Sequence, residues 1–384
     1  MTRILIWVQH LLGSGHVERM RWIAEALTAR GAAVTFVSGG MPLPARMPRG
    51  ADIVQLPPLR AADASFSGLV DAAGAPADDA LRKRRAHELA TACERAQPDV
   101  VVLETWPFGR RALRFELELL LARVGQASPR PLVVVSVRDL LQVRAHPARD
   151  VEAWAIARRC VDAIIVHGEA AFARLEETLP PAADGAIPIF YTGYVHAPRR
   201  EPPPRARDEV IASASGGDVG DALLRAFLAA RASSALRALR WRVLVGPGIP
   251  EARFGELRAA GAGEGTIVER HRDDFPDLLA GARVAVTQAG YNTVLDVLAA
   301  RTPAVLVPFE GEGETEQRMR AQRLAALGRA VVLPERELTA AALAGAIDRA
   351  AALGEMPPSP FATDGAERAA QRILALAEGV GAHR

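Results

Sequence analysis

ARVAVTQAGYNTVLDVLAARTPAVLVPFEGEGETEQRMRAQRLA, residues 282–325, decides how the chain folds. An apolar run at 283–287 breaks at Gln288-Ala289-Gly290, and apolar positions then recur at helical spacing over 291–300. Pro303 introduces a second apolar run, 304–308. A turn rich in glycine and glutamate leads into another helical stretch, 315–327. Strand, helix, strand, helix at this spacing is the repeating unit of a parallel sheet. The runs are apolar at consecutive positions, which suits strands covered on both faces.

The same alternation extends through the chain. Strands are predicted at 3–8, 33–38, 52–55, 99–104, 131–137, 163–167 and 187–191, with helices at 16–30, 78–97, 110–124, 150–160 and 169–178. HAPRREPPPRARDE, 196–209, is rich in Pro and Arg without periodicity and reads as a linker. Beyond it strands are predicted at 208–214, 241–245, 265–269, 283–287, 304–308 and 330–333. Helices are predicted at 218–231, 251–260, 274–280, 291–300, 315–327, 339–351 and 365–379. The fold class is α/β, with two doubly wound, Rossmann-like domains in tandem. Residues 1–196 form the first, 197–207 the linker and 208–364 the second. A C-terminal helix within 365–384 is expected to pack back on the first domain. A ligand cleft is expected between the two, since such sheets bind ligands beyond the carboxyl ends of their strands.

Composition narrows the function. The 384 residues carry 47 basic and 45 acidic side chains, a net +2, which is no nucleic-acid signature. Lys83 is the single lysine, and RKRR at 82–85 is the one basic cluster. It reads as a solvated helix face, with weak contact to a membrane surface as the alternative. Cys93 and Cys160 lack metal-ligand spacing and read as reduced, buried thiols of a cytoplasmic protein. RILIWV, residues 3–8, is too short for a signal peptide. No run approaches the roughly 20 apolar residues of a membrane helix. A monomer or a dimer is expected.

Two glycine turns follow strands and open helices. In LLGSGHVER, 11–19, Gly13 and Gly15 permit a sharp turn and expose backbone N–H groups at a helix start. The second strand ends at Ser38, where a dinucleotide site usually carries Asp or Glu on the ribose, so NAD is disfavoured. His16 stands at the helix start with a side chain suited to proton transfer near neutrality; a plain capping role is the bland reading. In ASASGGDVGDALL, 212–224, Gly216, Gly217 and Gly220 repeat the phosphate-ready arrangement, without a Walker lysine.

The segment 282–325 resembles the GT-B glycosyltransferases of the MurG type, family 28-like. The residues that carry the likeness are Gln288, Ala289, Gly290, Thr293, Asp296, Pro303, Pro308, Glu316, Gln317 and Ala321. With LLGSGHVERMRWIAEALTARGAAVTFVSGG, LETWPFGRRAL and SVRDLL, the chain is most similar to an uncharacterised group of bacterial predicted glycosyltransferases. The resemblance implies two Rossmann-like domains. The second would bind the donor, a nucleoside-diphosphate sugar that is UDP-linked, and the first an unknown acceptor. It implies donor contacts from Gly216, Gly217, Gln288, Gly290, Thr293, Asp296, Glu316 and Gln317, with backbone atoms of Arg272 beside the base. Thr293 and Asp296, three apart, share a helix face, and Asp296 can accept two ribose hydroxyls. The chain departs from the family at Arg320, where Asn is usual, at Asp296, where Glu is usual, and at Glu316, where His or Asp is usual. These departures leave the hexose open, N-acetylhexosamine included.

On the acceptor side stand Gly13, Gly15, Arg138 and Asp139. His16 is the expected general base or orienting donor, and Glu104 the alternative base, because an inverting transfer needs one imidazole or carboxylate to deprotonate the acceptor. Arg138 paired with Asp139 or Asp150 is the structural reading. Trp106 and Phe108 either stack on an acceptor or pack in the core. No cofactor and no metal is expected: Asp-x-Asp is absent, and helix N-termini can stabilise a leaving diphosphate. A nucleotide-sugar hydrolase with the same Gly13, Gly15, His16 and Arg19 pattern is the first rival. A 2-epimerase, for which no clear carboxylate set stands out, and a non-catalytic nucleotide-sugar binding protein are the others.

Overall fold

The computed structural model describes residues 1–11, 13–63, 68–144, 146–197, 207–214, 220–246 and 248–381. The chain forms two compact units, Met1–Pro198 with Phe361–Arg384, and Arg199–Pro360.

The first unit holds strands β1 (Arg3–Val8), β2 (Ala33–Ser38), β3 (Asp52–Gln55), β4 (Arg60–Ala61), β5 (Leu69–Val70), β6 (Val100–Glu104), β7 (Leu132–Arg138), β8 (Ala163–His167) and β9 (Ile189–Tyr191). Its helices are α1 (Gly15–Ala29), α2 (Asp79–Ala96), α3 (Arg114–Gln126) and α4 (Ala148–Cys160). Seven strands make a parallel sheet in the order β3-β2-β1-β6-β7-β8-β9, and β4-β5 is a separate antiparallel hairpin. The consecutive apolar residues of β1 serve both faces. Leu5 and Trp7 pack with Leu89, Leu117 and Trp154 of α2 to α4, while Ile4, Ile6 and Val8 pack with Met20, Ile23 and Leu27 of α1. Edge strand β3 is largely exposed, as a single-sided neighbour allows.

The second unit holds β10 (Glu209–Ser213), β11 (Arg240–Val245), β12 (Thr266–Arg270), β13 (Ala282–Thr287), β14 (Ala304–Leu306) and β15 (Val331–Val332). Its helices are α5 (Asp221–Ala230), α6 (Glu251–Ala260), α7 (Phe275–Ala280), α8 (Tyr291–Ala300), α9 (Glu316–Ala326) and α10 (Ala340–Ala352). The parallel order is β12-β11-β10-β13-β14-β15. One core face joins Val210, Val243, Val284 and Val305 to Phe227 of α5 and Ile347 of α10. A last helix, α11 (Gly365–Gly381), belongs to the first unit and sets Ala369, Ala370 and Ile373 into the α1 face of its core. Its approach is pinned by Tyr194 N–H on the Ala362 carbonyl at 2.8 Å and Gly365 N–H on the Tyr194 carbonyl at 3.0 Å. The α/β, doubly wound class read from the sequence is the observed one.

Several local readings are corrected. Residues 169–178 hold no α-helix; their helical piece is the short 3-10 segment Leu175–Glu177. Side chains divert the stretch: Glu169 accepts from Ala362 N–H at 2.7 Å and Tyr191 from Leu175 N–H at 2.7 Å. RKRR is not wholly a solvated face, because Arg85 is fully buried and ion-paired to Glu116 at 2.8 Å. Trp106 and Phe108 are core residues, with Phe108 stacked 6.1 Å from Trp154. Asp150 pairs with Arg144 at 3.3 Å, not with Arg138.

Gly220, the residue before α5, has φ +141°, and a Cβ there would lie 2.2 Å from Ala214 Cβ. Both the backbone region and the close approach require glycine. Gly220→Ala is expected to destabilise the second unit by about 1–3 kcal/mol, read as a lower urea midpoint; an unchanged midpoint would mean that the loop before α5 relaxes freely.

Candidate functional site

In the first unit the chemistry gathers at the carboxyl ends of β1, β6 and β7. β6 delivers Glu104 there with its side chain fully buried. The segment after it turns tightly. Thr105 and Arg110 both have left-handed φ, +64° and +60°, and a Cβ on Gly109 would meet Thr105 Cγ2 at 2.7 Å. Non-glycine residues hold such φ values only when their surroundings impose them. Here the turn folds Arg110 back over Glu104, with Nη2 3.5 Å from Oε2.

α1 supplies the other partners. His16 and Arg19, three apart, share a helix face. His16 Nδ1 lies 2.6 Å from Glu104 Oε1, and Arg19 Nη2 donates to the same oxygen at 2.6 Å. Thr105 Oγ1 also donates to it. Sequence reasoning offered His16 and Glu104 as competing bases; the structure bonds them to each other.

Burial works to raise the Glu104 carboxyl, but His16, Arg110 and Arg19 outweigh it and hold it well below its ordinary value. Burial lowers the His16 imidazole to about 3; Glu104 opposes this, and Arg110 and Arg138 add to it. An ionised carboxylate only accepts, so the imidazole proton sits on Nδ1 and Nε2 keeps its lone pair. His16 is 19% exposed, which leaves its ring reachable. Arg138 ends β7 and is half-buried, and the buried Asp139 accepts from Leu140 N–H at 2.9 Å.

His10, His16 and His167 are all lowered by burial, His10 to about 4. His167 is a core histidine, bonded to Ser136 at 2.7 Å and Thr192 at 3.2 Å. Below the ordinary histidine value the unfolded chain binds protons that these folded sites refuse, so stability rises with pH there. Glu104 adds stability above the ordinary carboxylate value that is lost as pH falls through its lowered one. Urea midpoints are therefore expected to fall steadily from pH 7 to pH 4; a flat profile would show the histidines to be solvated.

Sequence reasoning did not single out His10 or Arg46. His10 is buried at the end of β1, where a Cβ on Gly40 would lie 2.3 Å from its ring. Arg46 donates to Ser14 Oγ at 2.7 Å. The signal for His10 was its place directly after an apolar strand. None marked Arg46. A Cβ on Gly13 would meet nothing within 4 Å, so the loop has room.

In the second unit, β13 ends at the buried Thr287, the buried Gln288 follows it, and Gly290 stands before α8 without a side-chain cap. Thr293 and Asp296 are half-buried on one face of α8. The turn is held from α9: Gln317 Oε1 accepts from Ala289 N–H at 3.0 Å and Phe309 N–H at 3.2 Å, and the buried Arg320 donates to the Ala289 carbonyl at 2.8 Å. Gln317 thus has its carbonyl committed to backbone and only its amide nitrogen left to meet a ligand. Glu316 is buried at the start of α9. Arg272 is exposed and paired with Asp274 at 2.7 Å. Gly216 and Gly217 lie outside the described residues.

Among the described residues no group of three or more His, Cys, Asp or Glu is placed to hold a metal ion, and no helix is long and apolar enough to cross a membrane. A cavity of about 510 Å³ lies at the opposite end of the first sheet, beside Arg3, Asp99 and Arg130. Those residues are occupied in surface pairs, Arg3 with Asp99 and Arg130 with Asp162.

Residues 218–373 match the family described as glycosyltransferase family 28 C-terminal domain. Curated relatives carry the name UDP-N-acetylglucosamine--N-acetylmuramyl-(pentapeptide) pyrophosphoryl-undecaprenol N-acetylglucosamine transferase. That of Nitrosococcus oceani is 34% identical over 114 residues, 28% of this chain and 32% of its own. That of Rhodospirillum centenum is 31% identical over 143 residues, 34% of this chain and 37% of its own. The matched stretch thus spans about a third of the length of these relatives. Among solved structures, Acinetobacter baumannii MurG is similar at TM-score 0.58 and 15% identity over 98% of both chains. CalG4, the calicheamicin glycosyltransferase, is similar at TM-score 0.57 and 20% identity over 98% of this chain and 95% of its own. These likenesses establish the GT-B fold.

Proposed function

We propose, from the premise that this chain has a MurG-type GT-B fold with a glycosyltransferase family 28 C-terminal domain, that it transfers a hexose from a UDP-sugar to an acceptor hydroxyl. N-acetylglucosamine is the sugar favoured by the names of the curated relatives. The reaction is read as inverting and as needing no metal or cofactor, in the cytoplasm.

The observation that carries this reading is the His16–Glu104 pair, a neutral imidazole oriented through Nδ1 by a buried, ionised carboxylate. The acceptor hydroxyl gives its proton to His16 Nε2 as its oxygen attacks the anomeric carbon from the face opposite the nucleotide. The bond from that carbon to the diphosphate oxygen breaks, and UDP leaves with the electron pair. Glu104 stabilises the imidazolium as it forms; it is a positioning residue, and Arg19 and Thr105 fix it in turn. In the second unit Asp296 is assigned to the ribose hydroxyls, Thr293 to the diphosphate, and Gln288, Glu316 and the Gln317 amide to the hexose. Gly290 leaves the first N–H groups of α8 unblocked for the leaving diphosphate. Gly216, Gly217 and the Arg272 backbone keep their assigned donor roles as part of this reading.

UDP or its sugar conjugate is expected to stabilise the fold by about 2.7 kcal/mol at 100 times its dissociation constant. Asp296→Ala is expected to weaken that binding by about 1.5–3 kcal/mol, the range of a hydrogen bond to a charged group. Calorimetric titration checks both; absence of any nucleoside-diphosphate binding would sink the proposal. Hydrolysis is the second reading, favoured by Gly13, Gly15, His16 and Arg19 in their order: water would replace the acceptor at the same base. Free sugar released at the same rate with and without acceptor extracts would favour it.

A further inference from the structure

Arg320 stands where Asn is usual in the family, and it is only 1% exposed. A buried guanidinium must be met by fixed acceptors. One of them is in the turn that opens α8: Nη1 donates to the Ala289 carbonyl at 2.8 Å. Its Cζ also lies 5.9 Å from the ring centre of Tyr291, the first residue of α8, within the range of a cation–π contact. Gln317, three residues earlier and on the same face of α9, accepts from Ala289 N–H at 3.0 Å and from Phe309 N–H at 3.2 Å. The peptides on both sides of Ala289 are thus held from one helix. β13 does not share in this hold through Thr287, whose hydroxyl is buried without a hydrogen-bond partner among the described residues.

The hold has a direction. A trans peptide is planar, and its N–H points opposite to its C=O. Drawing the Ala289 carbonyl toward α9 therefore turns the N–H of Gly290 away from α9, at the point where α8 begins with no side-chain cap. A cation buried at the positive end of a helix is unfavourable by itself; with an anion bound at that end the same charge becomes attractive. An asparagine carries its amide several bonds nearer the backbone. It is too short for the same span from α9 and would leave the Ala289 carbonyl without that bond.

Resting on the donor assignment of the second unit, we infer that Arg320 is a positioning residue for the donor's diphosphate. It fixes the Ala289–Gly290 peptide before any ligand arrives, so that the start of α8 meets the diphosphate already oriented, and its buried charge adds to the attraction. Preorganisation of this kind raises affinity by removing an ordering cost at binding. The effect belongs to the diphosphate and not to the ribose or the base, which are assigned to Asp296 and to the backbone of Arg272.

The test titrates UDP and uridine into the full chain, since the two ligands differ by the diphosphate alone. Arg320→Met and Arg320→Asn are expected to weaken UDP about tenfold to a hundredfold and to leave uridine within about twofold of the unaltered chain. Arg320→Lys, which keeps a charge and a donor without the fork, is expected to fall between. Arg318→Gln removes an exposed positive charge from the same helix, one that lies 3.9 Å from Glu310, and should change neither affinity. Where Arg320→Met or Arg320→Asn does not fold by circular dichroism, Arg320→Lys decides by the same comparison. Equal losses of UDP and uridine would make Arg320 a support of the whole unit and overturn the inference. So would an unchanged UDP affinity, a loss confined to uridine, or a loss of UDP matched by Arg318→Gln, which would reduce the effect to the charge of α9. Absence of UDP binding by the unaltered chain would bring down the donor assignment and this inference with it; UDP binding that Arg320 does not affect brings down the inference alone.

Discussion

His16→Ala is expected to lower sugar transfer by about 100- to 10,000-fold, the contribution of a positioned general base, while UDP affinity stays near that of the unaltered chain. The split follows from position: His16 belongs to the first unit and bonds Glu104, whereas the assigned nucleotide contacts belong to the second. Slow donor hydrolysis serves as the assay until an acceptor is found. A pH profile separates chemistry from scaffolding. A base works deprotonated, so rate is lost as pH falls through its pKa, and the His16 value is about 3. kcat/KM should therefore show no acidic limb between pH 8 and pH 5. Glu104→Gln should introduce a changed profile, because the amide no longer forces the proton onto Nδ1, and Glu104→Asp should recover part of the rate. A limb near the ordinary histidine value in the unaltered chain would show that His16 is solvated and that the base is elsewhere. Normal turnover by His16→Ala would reduce the residue to a part of the helix start.

The sheets were legible because each strand is apolar at consecutive positions, and nothing but a doubly covered parallel sheet buries both faces of VVVLE or AIIVH. The residues of the site were legible one at a time, as polar groups that follow such strands. Their partnership was not. His16 and Glu104 are 88 residues apart, and they meet because β6 pairs with β1, a crossover that no local pattern encodes. Gln317 read as a sugar contact because it opens a helix after a turn. The backbone of Ala289 and Phe309, which takes up its carbonyl, is fixed only once β13 and β14 are side by side. Arg110 lay six residues from Glu104 in the sequence, but its left-handed backbone and its ion pair with that carboxylate are products of the folded turn.

Arg85 illustrates the same limit and carries the largest expected effect on stability. In RKRR it was one of four like charges on a helix; in the fold it is fully buried under the ends of β1 and β2. Its Nε and Nη2 grip Glu116 at 2.8 and 3.0 Å, Nη1 donates to the carbonyls of Gly39 and Pro57, and Nη2 also meets Gln9 Oε1 at 3.1 Å. Glu116 accepts Trp7 Nε1 as well, at 3.1 Å. A pair bonded this fully leaves a naked charge when either partner goes, so Arg85→Met should cost about 3–5 kcal/mol. Glu116→Gln should cost less, since the amide still accepts from Trp7 and Arg85 keeps its backbone carbonyls. Arg85→Met with Glu116→Leu should cost less than Arg85→Met alone, because no charge remains buried. Urea unfolding followed by tryptophan fluorescence compares the three with Asp296→Ala as a control in the other unit. Strict additivity of the two substitutions would show that they do not act as a pair. The consequence reaches the site, because Gly39 and Gln9 pack against this guanidinium and Gln9 donates to the carbonyl of His10 at 2.8 Å. Loosening Arg85 should therefore lower turnover through the first unit while leaving UDP binding in the second unchanged.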